Sequence, residues 1–181
     1  MLAAAPIWTY EFGTIAELIT AGVAICAFCG AVVQLRQTRR TTLETRAHEY
    51  LRRYDAPRLL PYIDRAHTVV GSKEPSAQET RFRLRAWERL SFRDRLDVLV
   101  MLNFWEELAG MYNRDLVDKK IIDEYFGDAA LEFWKRSLWL QHHLQEQQAG
   151  EAVYNEWQEM CCDLVWQRRV RRSRVRDGCL P

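Results

Sequence analysis

The sequence is poor in the residues that build turns, crosslinks and metal or phosphate sites. Its 181 residues include only 8 glycines, 5 prolines, 5 cysteines and 4 histidines. So few glycines and prolines exclude a collagen-like or low-complexity chain, and so few cysteines exclude a small domain held together by disulfides. No Gly-rich phosphate loop, nucleophile elbow or metalloprotease motif occurs. The sequence therefore predicts neither an enzyme nor a bound cofactor, and we name no catalytic residue.

Metal-ligating patterns are equally scarce. The Glu-x-x-His pairs of a ferritin-like di-metal bundle are absent. His142, His143 and Glu146 share one helical turn, but neighbouring side chains on a helix point about 100° apart, so we interpret this group as a solvated polar face. Cys26 and Cys29 have CxxC spacing inside an apolar stretch, where cysteine behaves as a small hydrophobic residue. We predict no metal site.

Charged residues, by contrast, are abundant and strongly patterned, although the net charge is only +1. Residues 1–35 carry two acidic groups and no basic one, and residues 36–65 carry eight basic against four acidic groups. Residues 101–165 carry five basic against thirteen acidic groups, a balance of −8, whereas residues 166–181 carry six against one, a balance of +5. A basic stretch, an acidic block and a basic tail therefore follow one another along the chain.

One long stretch has no charge at all. It runs for 18 residues, from Leu18 to Leu35. A helix rises about 1.5 Å per residue, so the segment from Phe12 to Leu35 crosses a hydrocarbon core of about 30 Å. Its strongly apolar residues favour insertion by about 3 to 6 kcal/mol in total, and Glu17 near its start offsets part of this. We predict a transmembrane anchor, the alternative being a buried helix of a soluble protein.

The residues that flank this stretch predict its orientation. Trp8, Tyr10 and Phe12 precede it, as interfacial aromatic residues do, and no Lys or Arg precedes it. Four arginines follow it: Arg36, Arg39, Arg40 and Arg46. The positive-inside rule then places the N-terminus outside and the C-terminal side in the cytoplasm. Because the basic residues follow the apolar run, we expect an uncleaved single-pass anchor and not a signal peptide.

Small residues recur on one face of the predicted anchor. Gly22, Cys26 and Gly30 are spaced four apart, which places them on the same side of a helix. Such a small-xxx-small pattern lets two helix backbones approach closely in a membrane. The pattern makes self-association through this face a hypothesis, while small residues are also common in membrane helices that do not associate.

The remainder of the chain has helical spacing throughout and no period-two strand. The spacing of Leu43, Ala47, Tyr50 and Tyr54 extends the anchor helix until Pro57 interrupts it. We predict an all-α fold, in which an N-terminal transmembrane helix continues into a stalk and is followed by a cytoplasmic bundle of about five to six helices. The predicted domains are an N-terminal tail and anchor (1–35), a helical stalk (36–56), the bundle (57–166) and an Arg-rich tail (167–181).

Local signals mark several helix starts within the bundle. Ser76 and Glu79 form a capping-box pattern, and Ser91 with Asp94 predicts a similar start. The helix that begins at Phe92 is expected to be central, because its apolar residues alternate at spacings of four and three: Val98, Leu102, Trp105, Ala109 and Tyr112.

Glycines suggest where the later helices end. Gly127 is predicted to end a short helix, because glycine commonly follows the last helical turn. Asp115 or Asp118 would cap the start of that short helix. Asp128 would cap a longer helix that Gly150 ends. The last helix is expected to turn wholly polar before the basic tail.

The tail concentrates six positive charges in nine residues: Arg168, Arg169, Arg171, Arg172, Arg174 and Arg176. Each contributes about 1 kcal/mol near an anionic lipid surface. An acidic protein surface, nucleic acid or no partner at all are alternatives. Nucleic acid is the less favoured polyanion, because such sites usually add stacking aromatic residues and only Trp166 is close by.

Several motifs together resemble a known family: Val33-Gln34-Leu35-Arg36-Gln37-Thr38-Arg39-Arg40, Tyr54-x-x-Pro57, Asn103-Phe104-Trp105-Glu106-Glu107-Leu108-Ala109, Leu116-Val117-Asp118, Phe126-Gly127 and Phe133-Trp134. Over most of residues 15–165 the chain is similar to the bacterial domain of unknown function 4760, a family of small membrane-anchored helical proteins. The resemblance implies this architecture and a bacterial inner (plasma) membrane. It implies no activity, and the basic tail lies outside it.

These patterns lead to one main hypothesis and two alternatives. The main one is a membrane-anchored, cytoplasm-facing helical interaction module that binds an unknown protein partner or itself, with its tail on anionic lipid. A soluble or peripheral nucleic-acid-associated protein is the second, and an oligomerising membrane effector is the third.

Overall fold

The structure is a computed structural model that describes residues 8–147 and 153–176, with the side chains of 17–147 and 153–170. Within these ranges the chain forms six helices and no strand, which confirms the predicted all-α fold of a long apolar N-terminal helix followed by a helical bundle. The helices are α1 (Trp8–Tyr54), α2 (Leu60–Val70), α3 (Ala77–Arg89), α4 (Phe92–Asn113), α5 (Lys119–Gln147) and α6 (Asn155–Arg176). The chain divides into two compact units, Met1–Thr42 and Leu43–Pro181.

The second unit includes the last turns of α1. Ala47 is fully buried there and Tyr50 is 8% exposed, so both belong to the hydrophobic core. The backbone carbonyl of Leu43 accepts a hydrogen bond from the Asp118 N–H group at 3.2 Å. The later part of the predicted stalk (36–56) thus belongs to the core of the second unit. The predicted domain boundaries themselves stay a prediction.

Two predicted helix starts are confirmed in detail. The Ser76 hydroxyl accepts the Glu79 backbone N–H at 3.3 Å, and the Glu79 carboxylate accepts the Ser76 N–H at 2.8 Å. At the start of α4 the Ser91 hydroxyl accepts the Asp94 N–H at 3.1 Å. Each cap satisfies backbone donors that the first turn of a helix leaves without partners.

Helix α4 contributes most of the core, as its apolar pattern predicts. All five residues of its predicted face are buried, and the helix packs against α2, α5 and α6. Aromatic rings join these helices. Trp105 of α4 stacks on Trp157 of α6 with ring centroids 5.8 Å apart, and Phe126 of α5 meets Trp105 edge-on at 5.9 Å. Such pairs add to the stabilisation that burial of their large surfaces provides.

One predicted boundary is wrong. Gly127 does not end a helix and Asp128 does not cap the next one, because α5 runs without interruption from Lys119 to Gln147. Asp118 caps this long helix instead, its carboxylate accepting the N–H groups of Lys120 at 2.9 Å and Ile121 at 3.1 Å. The predicted end at Gly150 lies outside the described residues. Gly127 has a different role, which depends on a contact with α6.

Candidate functional site

The first unit presents an apolar helical surface. Among the described residues, one helix, Glu17–Tyr54, is long and apolar enough to cross a membrane. No residue in its most apolar 18-residue stretch is buried. Most of the large hydrophobic side chains from Leu18 to Leu35 are exposed, among them Leu18 at 72% and Phe28 at 70%. The alternative of a helix buried in the core of this chain is therefore not what the structure shows.

The small-residue face of the predicted anchor is open. Gly22 and Gly30 have no atom within 4 Å of the position that an added Cβ would occupy, and Cys26 is exposed. Nothing in the described part of the chain covers this face. A second helix could therefore approach the backbone at these three positions, and whether one does stays a prediction.

The predicted flanking arginines have different surroundings. Arg36 and Arg39 are exposed directly after the apolar stretch. Arg46 lies in the second unit, where its guanidinium donates to the Leu116 carbonyl at 3.5 Å. Arg46 therefore contacts the helical bundle, whereas Arg36 and Arg39 remain exposed.

The first arginine of the tail is held by the acidic block. The Arg168 guanidinium donates to Asp128 at 2.5 Å and to Asp123 at 3.5 Å, and Asp123 is only 7% exposed. Gly127 lies between the two aspartates on α5. A Cβ built there would lie 2.5 Å from the Arg168 Nη2 atom, so the missing side chain makes room for the guanidinium. Arg168 thus joins α6 to α5.

A hydrogen-bond network continues this junction into α4. The Tyr112 hydroxyl donates to the Asp163 carboxylate at 2.8 Å, and the Gln167 amide donates to Tyr112 at 3.1 Å and to Asp163 at 2.8 Å. Burial, and then the hydrogen bond to Asp163, raise the pKa of Tyr112 well above its usual range. The tyrosine therefore stays protonated as a donor and orients the polar half of α6.

Arg169, the next residue, is in a different environment. It is exposed and lines an open groove of about 410 Å³ between α5 and α6, together with Lys135 and Trp166. This groove was not predicted from the sequence. Leu131, Trp134 and Leu138 line it from α5, and the structure leaves them only partly buried. The four later arginines lie on α6 up to Arg176, and their side chains are outside the described residues: Arg171, Arg172, Arg174 and Arg176.

The acidic pair on α4 has a structural role. The Glu106 carboxylate accepts the backbone N–H groups of Glu156 at 3.2 Å and Trp157 at 3.0 Å, and so caps the start of α6. Burial raises the pKa of Glu106, although these two hydrogen bonds partly oppose the shift. Glu107 accepts from the Tyr50 hydroxyl at 3.0 Å and from the Arg53 guanidinium at 2.8 Å. Both carboxylates thus hold helices together.

The reactive groups among the described residues include cysteine thiols and side chains of metal-ligating types. No group of three or more His, Cys, Asp or Glu side chains is placed to hold a metal ion in that part of the chain. Burial raises the pKa of the Cys161 thiol to about 12, which disfavours the reactive thiolate. The neighbouring Cys162 is exposed. What the geometry offers is surfaces: an apolar helix and a groove with basic side chains.

Comparison with known proteins places the chain in a family. A family model described as a domain of unknown function, DUF4760, matches residues 14–164. No curated protein matches the chain, and no solved structure matches it. The matched region includes the apolar helix, the aromatic core and the first part of α6. The chain therefore belongs to the DUF4760 family.

Proposed function

We propose that this member of the DUF4760 family is a single-pass protein of a bacterial inner membrane, whose cytoplasmic helical bundle is an interaction module and not an enzyme. The observation that carries the proposal is the exposed apolar stretch of α1, no residue of which is buried within the part of the chain that the structure describes. Leaving such a surface in water is unfavourable, whereas a bilayer removes it from water. Arg36 and Arg39 directly after it favour a cytoplasmic bundle.

Reporter fusions test the proposed orientation. Green fluorescent protein fused to the C-terminus is expected to fluoresce, and alkaline phosphatase fused there is expected to be inactive, because the first matures in the cytoplasm and the second outside it. Replacing Arg36, Arg39 and Arg40 with Gln is the matched variant, since it removes the flanking charge and leaves the apolar stretch unchanged. Active phosphatase on the unaltered chain would contradict the proposal.

We further propose that the bundle binds a protein partner. Phe82 and Phe92 support this, because they are 74% and 78% exposed in the second unit. Affinity purification of the detergent-solubilised full chain, followed by identification of bound proteins and lipids, is the direct test. A specific partner should be lost when both phenylalanines are changed to Ser and kept when exposed Glu124 is changed to Gln. Recovery of nucleic acid that salt removes would favour the nucleic-acid alternative instead.

Self-association through the anchor is a separate part of the proposal. It is supported by the open face at Gly22, Cys26 and Gly30. Changing Gly22 and Gly30 to Leu should lower crosslinked dimer in membranes several-fold, because the helices can no longer approach closely. Changing Ala24 and Ala31 to Leu is the control, since these residues lie on the opposite side of the helix. Equal loss in both variants would refute a specific face.

A further inference from the structure

The groove between α5 and α6 combines an apolar floor with an exposed indole. Leu131, Trp134 and Leu138 line it from α5, and Val165 and Trp166 line it from α6. Trp166 is 65% exposed, unlike the buried Trp105 and Trp157 of the core. Indole rings with one apolar face and one face in water are typical of membrane interfaces.

The charges around this groove are of one sign. Residues 101–165 have thirteen acidic groups, yet no Asp or Glu lines the groove, whereas Lys135 and Arg169 do. Neither of these two cations forms an ion pair with any residue that the structure describes. Arg168, one residue earlier, is held by two aspartates. Within the described residues, Lys135 and Arg169 are therefore cations without an ion pair beside an apolar surface.

We propose that this groove binds an anionic phospholipid, with the phosphate at Lys135 and Arg169 and an acyl chain along Leu131, Leu138 and Val165. The ligand must have an apolar body and a negative head, because the groove offers an apolar floor and two cations. A phospholipid of the host bilayer is favoured over an acidic amphipathic helix, since an anchored chain is held close to lipid at high local concentration. The inference rests on the proposed membrane anchor.

The test uses the fluorescence of Trp166 in the full chain. Wild type and Trp166→Phe are reconstituted in nanodiscs that contain brominated phosphatidylglycerol or brominated phosphatidylcholine, and their difference isolates the signal of Trp166. Bromine quenches an indole only at contact distance. We expect brominated phosphatidylglycerol to lower the Trp166 signal ~2-fold, and brominated phosphatidylcholine to leave it nearly unchanged.

Two charge-reversal variants distinguish a specific lipid site from general attraction of the protein to anionic lipid. Lys135→Glu with Arg169→Glu should abolish the quenching, whereas Arg81→Glu with Arg85→Glu, the same charge change on exposed positions of α3, should keep it. If the first pair loses helical circular dichroism, Lys135→Gln with Arg169→Gln carries the same expectation. Equal quenching by both lipids, equal loss in both reversals, or no quenching would overturn the proposal. If Trp166 becomes less accessible to the brominated lipid as the protein concentration rises, a second copy of the chain covers the groove. That result would also overturn the lipid proposal.

The result is distinguishable from a failure of the anchor. Absence of quenching in a chain that remains in the nanodisc would reject the lipid groove and leave the anchor standing. Release of the chain from the nanodisc would reject both.

Discussion

Gly127 shows how one missing side chain can connect two helices. Alanine stabilises a helix interior by about 1 kcal/mol relative to glycine, so glycine is unfavourable for α5 by itself. In the structure its position leaves room for the Arg168 guanidinium beside the buried Asp123. A Cβ at this position would displace the guanidinium and so weaken its ion pair with Asp123. The contact with α6 explains a residue that local propensity disfavours.

Gly127→Ala is therefore expected to lack the gain of about 1 kcal/mol that its better helix propensity offers, because the Arg168 guanidinium must move away from Asp123. Gly110→Ala is the control, because this buried glycine of α4 leaves ordinary van der Waals space for a Cβ, which would lie 3.5 Å from the Arg114 guanidinium. The control should be neutral or stabilising by about 0.5–1 kcal/mol. Urea unfolding of the detergent-solubilised chain measures both. A Gly127→Ala variant as stable as the control would refute the packing role.

The adjacent thiols of α6 should differ in reactivity. Cys161 is buried with its pKa raised to about 12, whereas Cys162 is exposed. Because the thiolate is the nucleophile, we expect maleimide to modify Cys162 roughly 100-fold faster than Cys161 at neutral pH. Single variants with Ser at either position, analysed by mass spectrometry of the modified peptide, give the two rates. Similar rates in the folded protein would mean that this part of α6 is not packed as described.

At the scale of the helices, the start of α6 depends on a carboxylate from α4. Burial raises the pKa of Glu106 above its ordinary value of 4.5, so the folded chain keeps a proton that the unfolded chain has lost. The free energy of unfolding contributed by Glu106 therefore falls as pH rises from about 4.5 through the raised pKa. Replacing this group with a neutral amide removes that dependence.

Glu106→Gln should accordingly gain stability relative to wild type as the pH rises through this window. Urea unfolding at several pH values measures the difference between the two proteins. Glu124→Gln is the control, because it also removes one carboxylate charge but at an exposed position of α5. A difference between wild type and Glu106→Gln that stays constant with pH would contradict a raised pKa at this position.

The helices also show what the sequence reveals and what it conceals. The caps at Ser76 and Ser91 were predictable, because each involves residues within one turn of the same helix. Gly127 was misread, since its partner Arg168 is distant in sequence. The same reason hid the groove: spacing places Leu131 and Leu138 on one face of α5, but only the packing of α6 determines that this face stays open. The ion pairs of Arg168 with Asp123 and Asp128 likewise depend on the packing of α6 against α5, which the sequence pattern does not show.

At the scale of the whole molecule, the account depends on the apolar stretch of α1. Two aspartates at the centre of a membrane helix disfavour insertion by about 5–7 kcal/mol. The apolar residues of the stretch favour insertion by only about 3–6 kcal/mol in total. Ile25→Asp with Phe28→Asp should therefore release the chain from membranes, whereas Ile25→Leu with Phe28→Leu should not. These two pairs differ in polarity at the same exposed positions.

Alkaline carbonate extraction of membranes from expressing cells is the most direct measurement of this claim. The account predicts that the wild-type chain and the leucine variant stay in the membrane pellet while the aspartate variant is released. Recovery of the wild-type chain in the carbonate supernatant, monodisperse in buffer without detergent, would contradict it.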